Sequence, residues 1–102
     1  MLIVMTTAPT IEEANSLAKG LVEEKHAACV QVLPRMTSFY IWKGNVESAE
    51  EFLLIAKTTE EKYAGLEFWI QARHSYETPE IVAVSAESVS AGYASWLTES
   101  LV

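Results

Sequence analysis

The strongest constraint on this chain is an extended run too long for a domain of its size to cover. Glu47 to Lys57 reads as one unbroken strand, with Phe52, Leu54 and Ala56 alternating against Glu51, Leu53, Ile55 and Lys57. At about 3.3 Å per residue it spans roughly 35 Å, whereas a domain of about 100 residues has a radius of gyration of only about 13 Å. Its partner is the extended segment Thr37 to Trp42, with Phe39 and Ile41 on one face and Ser38, Tyr40 and Trp42 on the other. Gly44-Asn45 reads as the two-residue hairpin loop, of the II′ kind. The hairpin should project past the helices and carry Phe39, Tyr40, Ile41, Trp42 and Val46 with it. A bare apolar hairpin invites aggregation, so an obligate oligomer is expected. A twisted hairpin curling over its own domain is the alternative.

The rest of the chain supplies a sheet and helices. Leu2 to Met5 reads as a buried strand, ended by Thr6-Thr7-Ala8-Pro9. Thr10 and Glu13 have capping-box spacing, and Ile11, Ala14, Leu17, Ala18, Leu21 and Val22 form a helical stripe reaching about Lys25. Ala28 to Leu33 is a strand that Pro34 interrupts. Thr58 with Glu61 predicts a second capping box and a helix to about Arg73, with Tyr63, Leu66 and Ile70 inward and Phe68 outward. After the loop Ser75 to Glu80 comes a strand, Ile81 to Ser85. Ser90 then caps a helix whose Tyr93, Trp96, Leu97 and Leu101 share one face. The order β-α-β-β-α-β-α predicts an α+β protein, a single ferredoxin-like βαββαβ sandwich over residues 1–102 with an extra C-terminal helix.

Charge and residue usage exclude several functions. All 14 acidic residues are Glu, and against 7 basic residues they leave a net charge of −7. With no Asp, EF-hand loops, aspartyl nucleophiles and a Ser-His-Asp triad are excluded. Nucleic acid and anionic membranes are not expected partners, because both require clustered Lys and Arg. The third strand of an RNA-recognition domain carries aromatic and basic residues, but here the corresponding run is Glu50-Glu51-Phe52-Leu53-Leu54-Ile55. A single cysteine, Cys29, suits a reducing compartment, and no signal peptide or bilayer-length apolar run is read, so a cytoplasmic protein is expected.

Few side chains can carry chemistry. Cys29 reads either as a small apolar strand residue or as a thiolate ligand. His26 reads as a helix C-terminal cation. His74 follows the second helix, where it either caps the helix or ligates a metal. No phosphate loop, nucleophile elbow or zinc motif is present, so no catalytic residue is assigned.

Six blocks together resemble the CutA divalent-cation-tolerance family: Thr6-Thr7-Ala8-Pro9, Ala27-Ala28-Cys29-Val30, Tyr40-Ile41-Trp42-Lys43-Gly44, Glu51 to Thr58, His74 to Glu80 and Tyr93-Ala94-Ser95-Trp96-Leu97. The resemblance implies a homotrimer, similar in architecture to PII signalling proteins, with hairpins pairing between subunits. It also implies a non-enzymatic role in divalent-cation tolerance and homeostasis, with copper or another divalent metal bound but none essential. His74 is then the metal ligand. Cys29, Tyr40, Trp42, Glu51, Lys57, Tyr76 and Glu80 would line a cleft between subunits. The alternative is a PII-like regulator binding a small metabolite there, with Lys57 as the charge anchor. Three positions depart from the family pattern: Ser75 replaces a usual Pro, Arg73 a His found in some members, and Met5 a Cys found in some copper-binding members.

Overall fold

The computed structural model describes residues 1–102. Its elements are β1 (Leu2–Ala8), α1 (Ile11–Glu23), β2 (Cys29–Val32), β3 (Met36–Trp42), β4 (Asn45–Thr58), α2 (Glu60–Arg73), β5 (Val82–Ser85) and α3 (Ala91–Ser100). The strand order is β2-β4-β1-β5, with β3 pairing β4 further along, and every pairing is antiparallel. Two interlocked split βαβ units produce this order once β2 and β3 count as one strand broken at Leu33-Pro34-Arg35. No helix is long and apolar enough to cross a membrane.

Helices α1 and α2 cover one face of the sheet. Val4 and Ala8 of β1, Leu54 and Ala56 of β4, Leu17 and Leu21 of α1, and Leu66 and Ile70 of α2 join in one buried cluster. Side chains alternate along a strand, so Ile3, Met5, Leu53 and Ile55 face the other way and are only half-buried. On that same face Val82 and Val84 are 46% and 45% exposed. The hairpin runs beyond both layers. Phe39 is 75% exposed, Ile41 69% and Val46 71%, and the molecule measures 45 Å along its long axis against 26 and 23 Å across.

Several boundaries differ from expectation. β1 runs to Ala8 rather than Met5, because β4 pairs with it as far as Ala8↔Phe52. The long strand has 14 residues, Asn45 to Thr58. Trp42 pairs with Asn45, so the two loop residues are Lys43 and Gly44, with φ of 50° and 81°. Positive φ at both makes a I′ turn, whose twist suits a hairpin, rather than the expected II′ turn at Gly44-Asn45. Helix α1 stops at Glu23, and Lys25 takes φ of 59°. The Lys25 amide donates to Val22 O and the His26 amide to Leu21 O, which makes a Schellman stop with Lys where Gly is usual. His26 thus closes the helix through its backbone, not its ring.

The second capping box does not form. Thr58 pairs with Leu2, points into the core and donates its hydroxyl to His26 O at 2.6 Å, leaving Thr59 as the N-cap without a side-chain bond. Ile81 precedes β5, which begins at Val82. In α3, Leu97 and Leu101 are buried as expected, while Trp96 stays 45% exposed. Trp69, absent from the expected α2 stripe, is buried because α1 presents Gly20 to it. A Cβ at residue 20 would lie 2.5 Å from two indole carbons.

Gly20→Ala therefore sets two effects against each other. Ala favours a helix over Gly by about 1 kcal/mol, but overpacking a filled interface costs about 1–3 kcal/mol. A clash with a buried ring decides the sign, so the variant should be less stable in urea unfolding despite its better helix propensity.

Candidate functional site

One hydrogen-bonded cluster gathers side chains from β1, α1, β4 and the loop after α2. At its centre is Glu51, only 8% exposed although it lies where β4 leaves the covered part of the sheet. Its Oε2 accepts from the Tyr76 hydroxyl at 2.8 Å and from the Thr7 hydroxyl at 3.3 Å. Oε1 takes no hydrogen bond. Thr6 Oγ1 is the one buried polar side-chain atom without a partner, so Oε1 of Glu51 is reached by solvent.

His74 ties the loop to β1. Its amide donates to Ile70 O at 2.8 Å, which ends α2, and the chain then turns out of the helix. The imidazole has no exposed surface. Its Nε2 lies 2.6 Å from the Thr7 carbonyl, and its Nδ1 lies 2.9 Å from the Tyr76 amide nitrogen. A carbonyl only accepts and an amide N–H only donates. Nε2 therefore carries the proton, Nδ1 accepts, and the ring is neutral. Neither nitrogen has a free lone pair in this arrangement, so metal coordination by His74 would first break the bond from Tyr76.

Glu13 completes the loop's anchorage. Thr10 accepts from the Glu13 amide as a capping residue should, but the Glu13 carboxylate does not return to Thr10. Its Oε2 accepts from the Ser75 amide at 3.0 Å and lies 3.4 Å from His74 Nδ1. Burial alone would raise the Glu13 pKa; the hydrogen bonds from Ser75 oppose it, and the net shift is downward. Tyr76 moves the other way. Burial, then the bond to Glu51 and that carboxylate's charge, push its hydroxyl up to about 12.

The expected cleft residues do not converge within one protomer. Glu51, Tyr76 and His74 do meet, and Tyr40 lies close enough to act on the Tyr76 hydroxyl. Lys57 is six positions along β4 from Glu51, roughly 20 Å away at strand spacing. It pairs across the sheet with Cys29 and donates to Gln31 Oε1. Cys29 is half-buried, and burial, then Cys29, pushes the Tyr93 hydroxyl up. Trp42 sits at the hairpin tip beside Lys43. Glu80 is exposed and makes no hydrogen bond or ion pair. Thr7 and Glu13 were not anticipated. Thr7 was read only as a strand terminator, and Glu13 already had a role as a cap, with nothing local to tie it to a loop 62 residues away.

No group of three or more His, Cys or Glu side chains within one protomer could hold a metal ion. Glu51 Oε1 is the open oxygen ligand of the cluster. A cation would fit there only with further ligands from water or a second copy.

Comparison with known proteins places this arrangement. The CutA1 divalent ion tolerance protein family model matches residues 2–100. The chain belongs to that family. It is similar to the divalent-cation tolerance protein CutA of Thermus thermophilus, 42% identical over 97 residues that cover 95% of this chain and 94% of that one. Likewise it is 43% identical to the Archaeoglobus fulgidus protein of the same name, covering 93% and 92% of the two chains. The solved structure of the divalent cation tolerance protein (Cut A1) from Thermus thermophilus superposes with a TM-score of 0.96 over the whole of both chains, at 41% identity. Metal tolerance is thus the functional frame of the family, and the α+β architecture with an antiparallel sheet and three helices is shared with its solved members.

The Tyr76–Glu51 bond predicts a pH dependence. A hydroxyl raised from 10.0 to about 12 on folding contributes fully below pH 10, and its contribution is lost as pH rises through the folded value. Urea unfolding across that window should show stability falling more steeply in the wild type than in Tyr76→Phe.

Proposed function

We propose that the protein binds divalent cations, copper among them, at the Glu51 cluster and contributes to metal homeostasis without catalysing a reaction. The carrying observation is the Glu51 carboxylate: one oxygen is fixed by two hydroxyl donors and the other is open to solvent. A carboxylate held this way is positioned before a cation arrives, so little side-chain order is lost on binding. Any nitrogen–oxygen site favours Cu(II) over the other first-row divalent ions, which supports copper without a thiolate. In this reading His74 fixes the loop through Thr7 and Tyr76, and joins the metal only after releasing the Tyr76 amide. The non-enzymatic reading is supported by Tyr76, whose hydroxyl stays protonated and bound to Glu51.

We infer further that the working form is a homotrimer. The half-exposed face around Ile3, Met5, Leu53, Ile55, Val82 and Val84 and the protruding hairpin are two apolar surfaces on one chain. Burying both between copies removes the hazard each poses alone. A neighbouring copy could also bring Lys57 or Trp42 toward the Glu51 cluster, which a single chain cannot do. A small-metabolite site anchored by Lys57 has the same requirement. The lone cysteine supports a reducing compartment such as the cytoplasm.

Two measurements test these readings. In copper titrations Glu51→Gln should raise the Kd about tenfold, and unchanged affinity in both Glu51→Gln and His74→Ala would remove the cluster from the site. Sedimentation equilibrium should give three times the 11.3 kDa chain mass, and Trp42→Lys should lower it by putting a charge into a packed interface. A wild-type mass of one chain would sink the trimer.

A further inference from the structure

Glu51 is a buried carboxylate that no cation of its own chain neutralises. The ion pairs of the molecule are Arg35–Glu50 and His74–Glu13, and Glu51 takes part in neither. Its only partners are two hydroxyl groups, which bring hydrogen bonds but no positive charge. A carboxylate held at that depth without a counter-charge is a place for a cation.

The two donors are not shared between the carboxylate oxygens. Tyr76 at 2.8 Å and Thr7 at 3.3 Å both go to Oε2. They occupy the lone pairs of that oxygen, whereas Oε1 keeps its own. Each donor is itself held in place. Thr7 is buried in β1 opposite Leu53 of β4. The Tyr76 amide bonds His74 Nδ1 at 2.9 Å, and the two rings lie 4.9 Å apart between centres. The Tyr76 hydroxyl, pushed up to about 12, keeps its proton throughout the neutral range. Glu51 thus offers a cation one oxygen rather than two.

That asymmetry matters differently to different divalent cations. Ca²⁺ takes about six to eight oxygen ligands and often draws two of them from one carboxylate. Cu²⁺ and Zn²⁺ need fewer ligands and accept one carboxylate oxygen alongside nitrogen or water. No cluster of acidic side chains in the chain makes up the oxygens that Ca²⁺ would lack.

Resting on the cation site read at Glu51, we propose that Thr7 and Tyr76 set its selectivity: by occupying Oε2 they hold Glu51 to one-oxygen coordination, which suits copper and disfavours Ca²⁺. They are positioning residues that act on the metal through Glu51.

Calorimetric titration of the full chain with Cu²⁺ and with Ca²⁺ tests this in the wild type, Tyr76→Phe, Thr7→Val and the double variant. Both substitutions keep the side-chain shape and remove only a hydroxyl. Ca²⁺ should bind about tenfold more tightly to the double variant than to the wild type, and each single variant should show part of that gain. Copper affinity should stay the same or fall. A merely structural role would loosen Glu51 and weaken both cations together, so opposite directions are the signature of selectivity. Ca²⁺ affinity that does not rise, or both cations shifting by the same factor, would overturn the proposal. Adding Glu51→Gln to the double variant should abolish the gain, and a gain that survives it would also overturn the proposal. Failure of the underlying cation site looks different: Glu51→Gln alone would then leave copper affinity unchanged, and the selectivity proposal would fall with it. Copper weakened by Glu51→Gln with no gain for Ca²⁺ in the hydroxyl variants would overturn the selectivity alone.

Discussion

Backbone pairing along β4 is the interaction on which the rest of the molecule depends. This one strand hydrogen-bonds to β1 and β2 over its C-terminal half and to β3 over its N-terminal half. A strand buried on both edges cannot slip by one residue without turning every side chain to the wrong face. Phe52, Leu54, Ala56 and Thr58 point toward the helices, and that choice sends Glu51, Leu53, Ile55 and Lys57 to the other side. The position of Glu51 is thus a matter of register. It is the last residue of its face before the hairpin leaves the body of the protein.

That location explains why a carboxylate can be buried there at tolerable cost. Unpaired, it would take a penalty of several kcal/mol. Thr7, at the far end of β1, and Tyr76, on a loop pinned by His74 and Glu13, supply two donors and leave one oxygen to water. Each donor depends on a different piece of the fold. The strand end depends on Ala8↔Phe52 pairing, and the loop depends on an imidazole whose two nitrogens bridge a carbonyl and an amide. The cluster is a junction of four elements.

Element order, the Pro34 break, the overlong hairpin and most of the core could be read from the residues, because each follows from local periodicity or from a breaker. Misread features were those decided by partners far along the chain. Thr6-Thr7-Ala8 looked like a strand terminator until β4 paired with it. Thr58 looked like a helix cap, but its backbone belongs to β1 and its hydroxyl to His26. Trp69 fell outside the helical stripe because the space for it is made by a missing Cβ on α1. In the site, Glu51, Tyr76 and His74 were identified from the family blocks, whereas Thr7 and Glu13 had no signal of their own. The partners of His74 are backbone groups, which composition does not reveal.

The break at Leu33-Pro34-Arg35 has one more consequence. It leaves β3 paired on a single side, with the outer amides and carbonyls of a seven-residue strand uncapped by its own chain. In a single chain that row of directional donors and acceptors is met by water, and it is a template on which another strand can pair. Any pairing along that edge is second order or higher in chain concentration, so how often a newly made chain meets another exposed strand rises with how much of it is made.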